Sequence, residues 1–251
     1  MRRFALALAG AMVLAAGTAG AAEEAALPSE HWSFDGIFGT YDRAELQRGF
    51  QVYQEVCSVC HAVQHLSYRD LAEIGFSEEE VKAIASTAKV TDGPNDAGEM
   101  FERQGRPSDP FVRPFANDKA ARAGNNGALP PDLSLIIKAR EGGPRYAYGL
   151  LTGYKDPPAD MKIGDGMRYN TVFPGHQIAM PPPLADDSVQ FADGTKATLP
   201  QEAHDVVAFL TWAAEPTMET RKRTGFKVIL FLLITTGVLY AVKRKIWADL
   251  H

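Results

Sequence analysis

Cysteine is nearly absent, with two among 251 residues. That excludes a multi-disulfide scaffold and a four-cysteine zinc site. A positive surplus is missing as well. Between Glu23 and Thr220 there are 17 Lys+Arg against 30 Asp+Glu, a charge near −13, while the whole chain stands at −5. Such a body is a poor match for nucleic acid. A basic protein partner steered by long-range attraction and plain solubility both remain open. Internal repeats and low-complexity tracts are lacking too. Hydrophobic content is 45%, enough for a packed core.

Charge is absent from Val228 to Val242, VILFLLITTGVLYAV. Counted from Gly225, the apolar stretch is 18 residues, roughly enough to cross a bilayer core of about 30 Å. Arg221-Lys222-Arg223 precedes it and Lys243-Arg244-Lys245 follows, with Tyr240 and Trp247 suited to an interfacial belt. This reads as a transmembrane helix. The opposite end, Met1-Arg2-Arg3 followed by an Ala/Leu-rich run and Ala19-Gly20-Ala21, reads as a cleavable signal peptide. Both ends of the C-terminal span are basic, so export sets the orientation: the body is translocated and a short tail of about eight residues stays inside. The expected organisation is signal peptide 1–21, globular domain 22–220, and anchor with short cytoplasmic tail 221–251.

The two cysteines fall in Cys57-Ser58-Val59-Cys60-His61, the C-x-x-C-H pattern of covalent haem attachment. Thiols three apart lie on one side of a helical turn and suit thioethers to the two vinyl groups of one haem. The adjoining histidine then lies under the iron. A thioredoxin-like motif wants a strand before it, and zinc wants two more ligands close by. Here a helix is expected before it. Asp42 with Glu45 opens it like a capping box, and Leu46, Phe50, Tyr53 and Cys57 share one face. Gly49 offers close approach to a second helix. The face Ala203, Val206, Val207, Leu210 and Ala214, with Trp212 alongside, supplies a late helix. His61 leaves one iron position to fill. Candidates are His65, His176, His204, Met100, Met161, Met167, Met180 and Met218. His65 is too close in sequence to reach the opposite face, and His204 is expected at the surface. Met180, followed by Pro181-Pro182-Pro183, sits on a stiff extended loop. Spacing alone does not separate a ligand there from core filler.

The segments Gln47-Arg48-Gly49-Phe50-Gln51-Val52-Tyr53, CSVCH, Asp92-Gly93-Pro94-Asn95 and Gly98-Glu99-Met100-Phe101 continue into a second set. That set is Asn125-Asn126-Gly127-Ala128-Leu129-Pro130-Pro131-Asp132-Leu133-Ser134, Leu150-Leu151-Thr152-Gly153-Tyr154, Met180-Pro181-Pro182-Pro183 and Trp212-Ala213-Ala214-Glu215-Pro216. In this order they resemble the cytochrome c1 family, the haem subunits of the cytochrome bc1 complex.

The resemblance implies a mainly α, class I cytochrome c-like haem domain with long loops, plus one C-terminal transmembrane helix. It implies one covalent haem c on Cys57 and Cys60, with His61 and Met180 as axial iron ligands, and Arg140 and Tyr146 beside a haem propionate. It also implies an electron carrier of the respiratory chain. The chain would take one electron from a Rieske iron–sulfur protein and pass it to a soluble or anchored c-type cytochrome. The enzyme is the assembly, quinol–cytochrome c reductase, with cytochrome b as partner, in a dimeric complex. The expected site is a bacterial inner membrane, with the haem domain on the periplasmic side. Glu78, Glu79, Glu80, Asp92, Asp96, Glu99 and Glu102 are the acidic residues from which a docking surface would be drawn. Anchored haem subunits of oxidases or nitric oxide reductases, and haem sensors, share C-x-x-C-H. The former should lack the PPDLS and WAAEP segments, and the latter needs an open sixth position.

Overall fold

The computed structural model describes residues 27–248. The signal-peptide reading of residues 1–21 falls outside them. Helix α1 spans Arg43–Glu55. Asp42 caps it by accepting from the amides of Ala44 at 2.8 Å and Glu45 at 3.4 Å. Only half of the expected capping box forms. The Glu45 carboxylate accepts instead from the Ser33 hydroxyl, 3.0 Å away. The buried face of α1 carries Leu46, Gly49, Phe50, Val52 and Tyr53, as the period of its apolar residues predicts.

After the haem motif, a 3₁₀ turn at Tyr68–Ile74 leads to α2, Glu78–Thr87. Ser77 and Glu80 close a complete capping box on α2, each side chain accepting from the other's amide. The Pro/Gly-rich middle of the chain contains two small antiparallel ribbons that the sequence pattern did not announce. Strands β1 (Lys89–Asp92) and β2 (Phe101–Gln104) pair with Lys89 opposite Gln104. Between the ribbons lie the short helix α3 (Asp118–Gly124) and α4 (Pro144–Thr152). The second ribbon pairs β3 (Arg168–Tyr169) with β4 (Gln177–Ile178).

Helix α5, Leu199–Ala214, is the centre of the domain. Thr198 caps it by accepting from the Gln201 amide, and Pro200 occupies its first turn, where a missing N–H costs nothing. It is buried on nearly every side, because α1 crosses one face and α4 packs on another. The crossing with α1 is close because Gly49 has no side chain. A Cβ there would lie 1.9 Å from the Asp205 carbonyl oxygen and 2.8 Å from Phe209 Cβ. Around this point Phe50, Tyr53, Phe111 and Phe209 form a cluster of edge and tilted ring contacts at 5.6–6.2 Å. One ion pair is sealed beside it. Arg48 grips the fully buried Asp205 with Nε at 2.7 Å and Nη2 at 3.2 Å, and reaches Asp193 at 2.9 Å.

Helix α6, Met218–Trp247, runs 30 residues, about 45 Å at 1.5 Å per residue. It is longer than the apolar stretch because both basic clusters continue the helix. From Phe226 onward its apolar side chains face outward, with mean hydropathy 2.0 over an 18-residue window, none of it buried against the domain. That is the surface of a helix long and apolar enough to cross a membrane. Its root is clamped. Arg43 pairs with Glu219, the Tyr41 amide donates to Glu219 at 2.8 Å, and Lys138 reaches Glu215 at 3.3 Å.

Candidate haem site

Helix α1 ends at Glu55 with Val56 as its C-cap, and the chain tightens into a 3₁₀ turn over Cys57–Val59. The amides of Cys60 and His61 both donate to the Cys57 carbonyl, at 3.1 and 2.8 Å. The Ser58 hydroxyl donates back to Gln54 at 2.7 Å. The two cysteines form no disulfide with each other. Burial, and then the neighbouring Cys60, push the Cys57 thiol up to about 12. From the core side, the Tyr53 hydroxyl donates to the His61 carbonyl at 3.2 Å.

The His61 ring has one nitrogen committed. Its Nδ1 lies 2.7 Å from the Pro131 carbonyl oxygen. A carbonyl can only accept, so Nδ1 carries the proton and Nε2 keeps its lone pair. Burial holds the ring below its ordinary pKa. A ring oriented by one N–H and neutral at the other nitrogen is the form in which histidine binds a metal.

Pro131 belongs to a strap that runs alongside the motif. The Leu133 amide donates to Ala62 at 2.8 Å, Gln64 to Asp132 at 3.1 Å, and His65 to the Ser134 hydroxyl at 3.1 Å. Burial opposes charge on Asp132, but the bonds from Ser134 and Gln64 outweigh it and keep the carboxyl below its usual range. The PPDLS segment thus earns its place by holding the histidine. Val59 in the motif and Leu129 on the strap are exposed. Val59 stands between the two cysteines, and Leu129 two residues before the carbonyl that meets His61, so both can offer apolar surface to a flat hydrophobic macrocycle. Donor chemistry and lining both fit a haem.

Met180 is half-buried and follows β4. Its carbonyl accepts from the Tyr154 hydroxyl at 3.1 Å. The ribbon behind it is tied down by the fully buried Asn170. That side chain donates to Leu150 on α4 at 2.8 Å and accepts from the amides of Val172 and Phe173. Arg140 is exposed, with Nη1 donating to Ala139 at 3.1 Å, and Tyr146 is half-buried on α4. Of the other candidate ligands, Met167 lines a cleft with Tyr154 and Pro182, close to the Met180 loop, and Met161 is half-buried. Met100 is exposed beside the β1–β2 ribbon and Met218 is packed in the core at the root of α6. His65 is exposed, and His176 Nδ1 faces the Asn170 carbonyl at 3.1 Å. His204, expected at the surface, is half-buried. It stacks on Trp32 at 5.6 Å, between Glu30 at 3.1 Å and Glu45 at 3.6 Å. Tyr154 and Asp132 were within segments noted in the sequence, without a role. Asn170 carried no signal at all.

A C-x-x-C-H turn at the end of one of two crossed helices, on a domain that continues into one helix long and apolar enough to cross a membrane, defines a c-type cytochrome. Residues 32–250 match the model of the Cytochrome C1 family. The chain is 49% identical to cytochrome c1 of Rhodospirillum rubrum over 260 residues, 96% of each chain. It is 50% identical to the mitochondrial haem protein cytochrome c1 1 of Arabidopsis thaliana, over 98% of this chain and 82% of that one. It is also 49% identical to cytochrome b/c1 of Bradyrhizobium diazoefficiens, over 89% of this chain and 36% of that one. The chain belongs to the cytochrome c1 family, and with it to the haem-bearing electron-transfer subunits of the bc1 complex.

Proposed function

We propose that this chain holds one covalent haem c and relays single electrons from a Rieske iron–sulfur protein to a soluble or anchored c-type cytochrome. The observation that carries the reading is His61, with Nδ1 bonded to Pro131 at 2.7 Å and Nε2 left as a ligand beside two unpaired thiols. When bound, the haem supplies reversible one-electron chemistry at iron. Cys57 and Cys60 would hold the ring through thioether bonds, and His61 and Met180 would hold its iron. Each would-be ligand has its own support: the Pro131 carbonyl orients the imidazole, and the Tyr154 hydroxyl holds the Met180 backbone. Arg140 lies just before α4 and Tyr146 in its first turn, where a guanidinium and a phenol would meet a haem propionate.

The acidic residues divide by their surroundings. Glu80 is spent as a cap, and Glu78, Asp92 and Glu102 are matched by Lys82, Arg103 and Lys89. Glu79, Asp96 and Glu99, all exposed, are the strongest contributors to a docking surface for a basic cytochrome. The domain faces the periplasm of a bacterium, after removal of residues 1–21, with the soluble body over 22–220 and the anchor and tail over 221–251. It works beside cytochrome b in a dimeric complex, where the assembly is the quinol–cytochrome c reductase.

The test is Met180→Leu in membranes, followed by redox titration and quinol-dependent cytochrome c reduction. Haem should stay attached, the potential should fall by on the order of a few hundred millivolts, and turnover should fail. A variant with wild-type potential would remove Met180 from the iron.

A further inference from the structure

We propose that the loop 33–40 is a second membrane contact, seating Ile37 and Phe38 in the lipid interface beside the first apolar turn of α6. The loop is short and closed. The Thr40 amide donates to Ser33 at 3.1 Å, the Asp35 amide to Trp32 at 3.0 Å, and the Asp35 carboxylate accepts from the Trp32 amide at 3.0 Å. Gly36 takes a φ of 70°, and a Cβ at Gly39 would lie 2.1 Å from the Asp35 carbonyl oxygen, so both positions require glycine. The base of the loop is buried through Trp32 and Phe34. Its tip is the reverse, with Ile37 75% and Phe38 71% exposed, side by side. A rigid loop that holds two large apolar side chains away from its own core is built to place them somewhere else.

Its connection to α6 says where. The Lys222 ammonium donates to the carbonyls of Phe34 at 2.7 Å and Gly39 at 3.0 Å, stapling the loop to the helix root. The Phe38 ring meets the Phe226 ring edge-on at 6.0 Å. Phe226 lies about 4.5 Å along the axis from Arg223, the last residue of the basic cluster. Phe38 is therefore continuous with the outward-facing apolar surface of the anchor, at the level where hydrocarbon begins. Exposed Arg223 and Lys227 flank that level and suit anionic headgroups. A helix alone is free to tilt and rotate. A second contact to one side, joined rigidly to the domain, fixes the height and orientation of the domain over the bilayer.

The inference rests on α6 spanning the membrane, and the experiment separates the two. Nitroxide labels are placed in the haem-loaded full chain at Ile37→Cys and, independently, Phe38→Cys, within its complex in native-lipid vesicles. Leu233→Cys on the span and Glu79→Cys on α2 are the references, and the wild-type chain sets the labelling background. Collision with oxygen, which concentrates in lipid, is compared with collision with a water-soluble nickel chelate. The labels at 37 and 38 should show an oxygen-to-nickel ratio several-fold above that at 79 and below that at 233. A ratio equal to that at 79 would overturn the loop contact. Protection from both reagents would overturn it too, by showing that another subunit covers the tip. A water-like ratio at 233 would instead remove the spanning reading on which the proposal stands.

Discussion

Replacing Gly49 by alanine adds one methyl group at the point where α1 and α5 touch. The new Cβ would lie 1.9 Å from a backbone carbonyl oxygen of Asp205. Ordinary contact begins near 3.4 Å, so the helices must part by roughly 1.5 Å, and no side chain can rotate away to spare them. A gap of even 0.5–1 Å forfeits about a quarter to a half of each dispersion contact. The pairs that face the gap are Phe50–Phe209 and Tyr53–Phe209, now at 5.7 and 5.6 Å. The displaced backbone also belongs to Asp205, whose carboxylate depends on Arg48 at 2.7 Å. Overpacking of this kind costs about 3 kcal/mol at the upper end of its usual range. Alanine returns about 1 kcal/mol of helix propensity. The net loss is about 2 kcal/mol, or roughly 4–8 °C in Tm for a domain of this size. Helical circular dichroism of the purified, detergent-solubilised chain during heating reads it directly. A variant as stable as wild type, or more stable by the helix-propensity gain, would refute the crossing as the physical reason for the glycine.

Arg48→Met strands the buried Asp205 carboxylate and should cost about 3–5 kcal/mol in denaturant unfolding, most of it regained in Arg48→Met/Asp205→Leu. Glu45 first, and then Glu30, raise the His204 pKa above its ordinary value, so its ion pairs stabilise the fold fully below about pH 6.5. That contribution disappears as pH rises through the raised folded value. Unfolding free energy measured from pH 6 upward should show the decline, and His204→Gln should flatten it; an unchanged slope would exclude His204 as its source. Tyr154→Phe removes the hydroxyl that holds the Met180 carbonyl, worth about 1 kcal/mol. It should lower the midpoint of thermal loss of the methionine–iron charge-transfer band while leaving the haem attached, and an unshifted midpoint would deny Tyr154 a positioning role.

Local spacing was legible without any structure. The face Leu46, Phe50 and Tyr53 is buried as its period requires, and Gly49 meets a second helix. The apolar run after Gly225 became the exposed length of α6. Between residues 89 and 183 there is no alternation that marks a strand, and there the two ribbons and the Asn170 hub passed unseen. His204 shows the same limit. Its place on a helix was foreseen, but the segment carrying Glu30 and Trp32, folded over it from more than 170 residues away, made it a half-buried group.

By itself the sequence determined what neighbours along the chain can impose: the C-x-x-C-H turn, the amphipathic faces, the caps and the anchor. Each depends on residues within a few positions of one another, where backbone geometry sets who meets whom. Only the tertiary structure decided that the Pro131 carbonyl orients His61, that Tyr154 steadies Met180, and that Arg48 answers Asp205. It alone set Phe38 against Phe226 at the root of the anchor. These partners are joined through glycine- and proline-rich chain without a repeating geometry. Their meeting follows from how the packed helices leave buried donors, acceptors and charges to be satisfied.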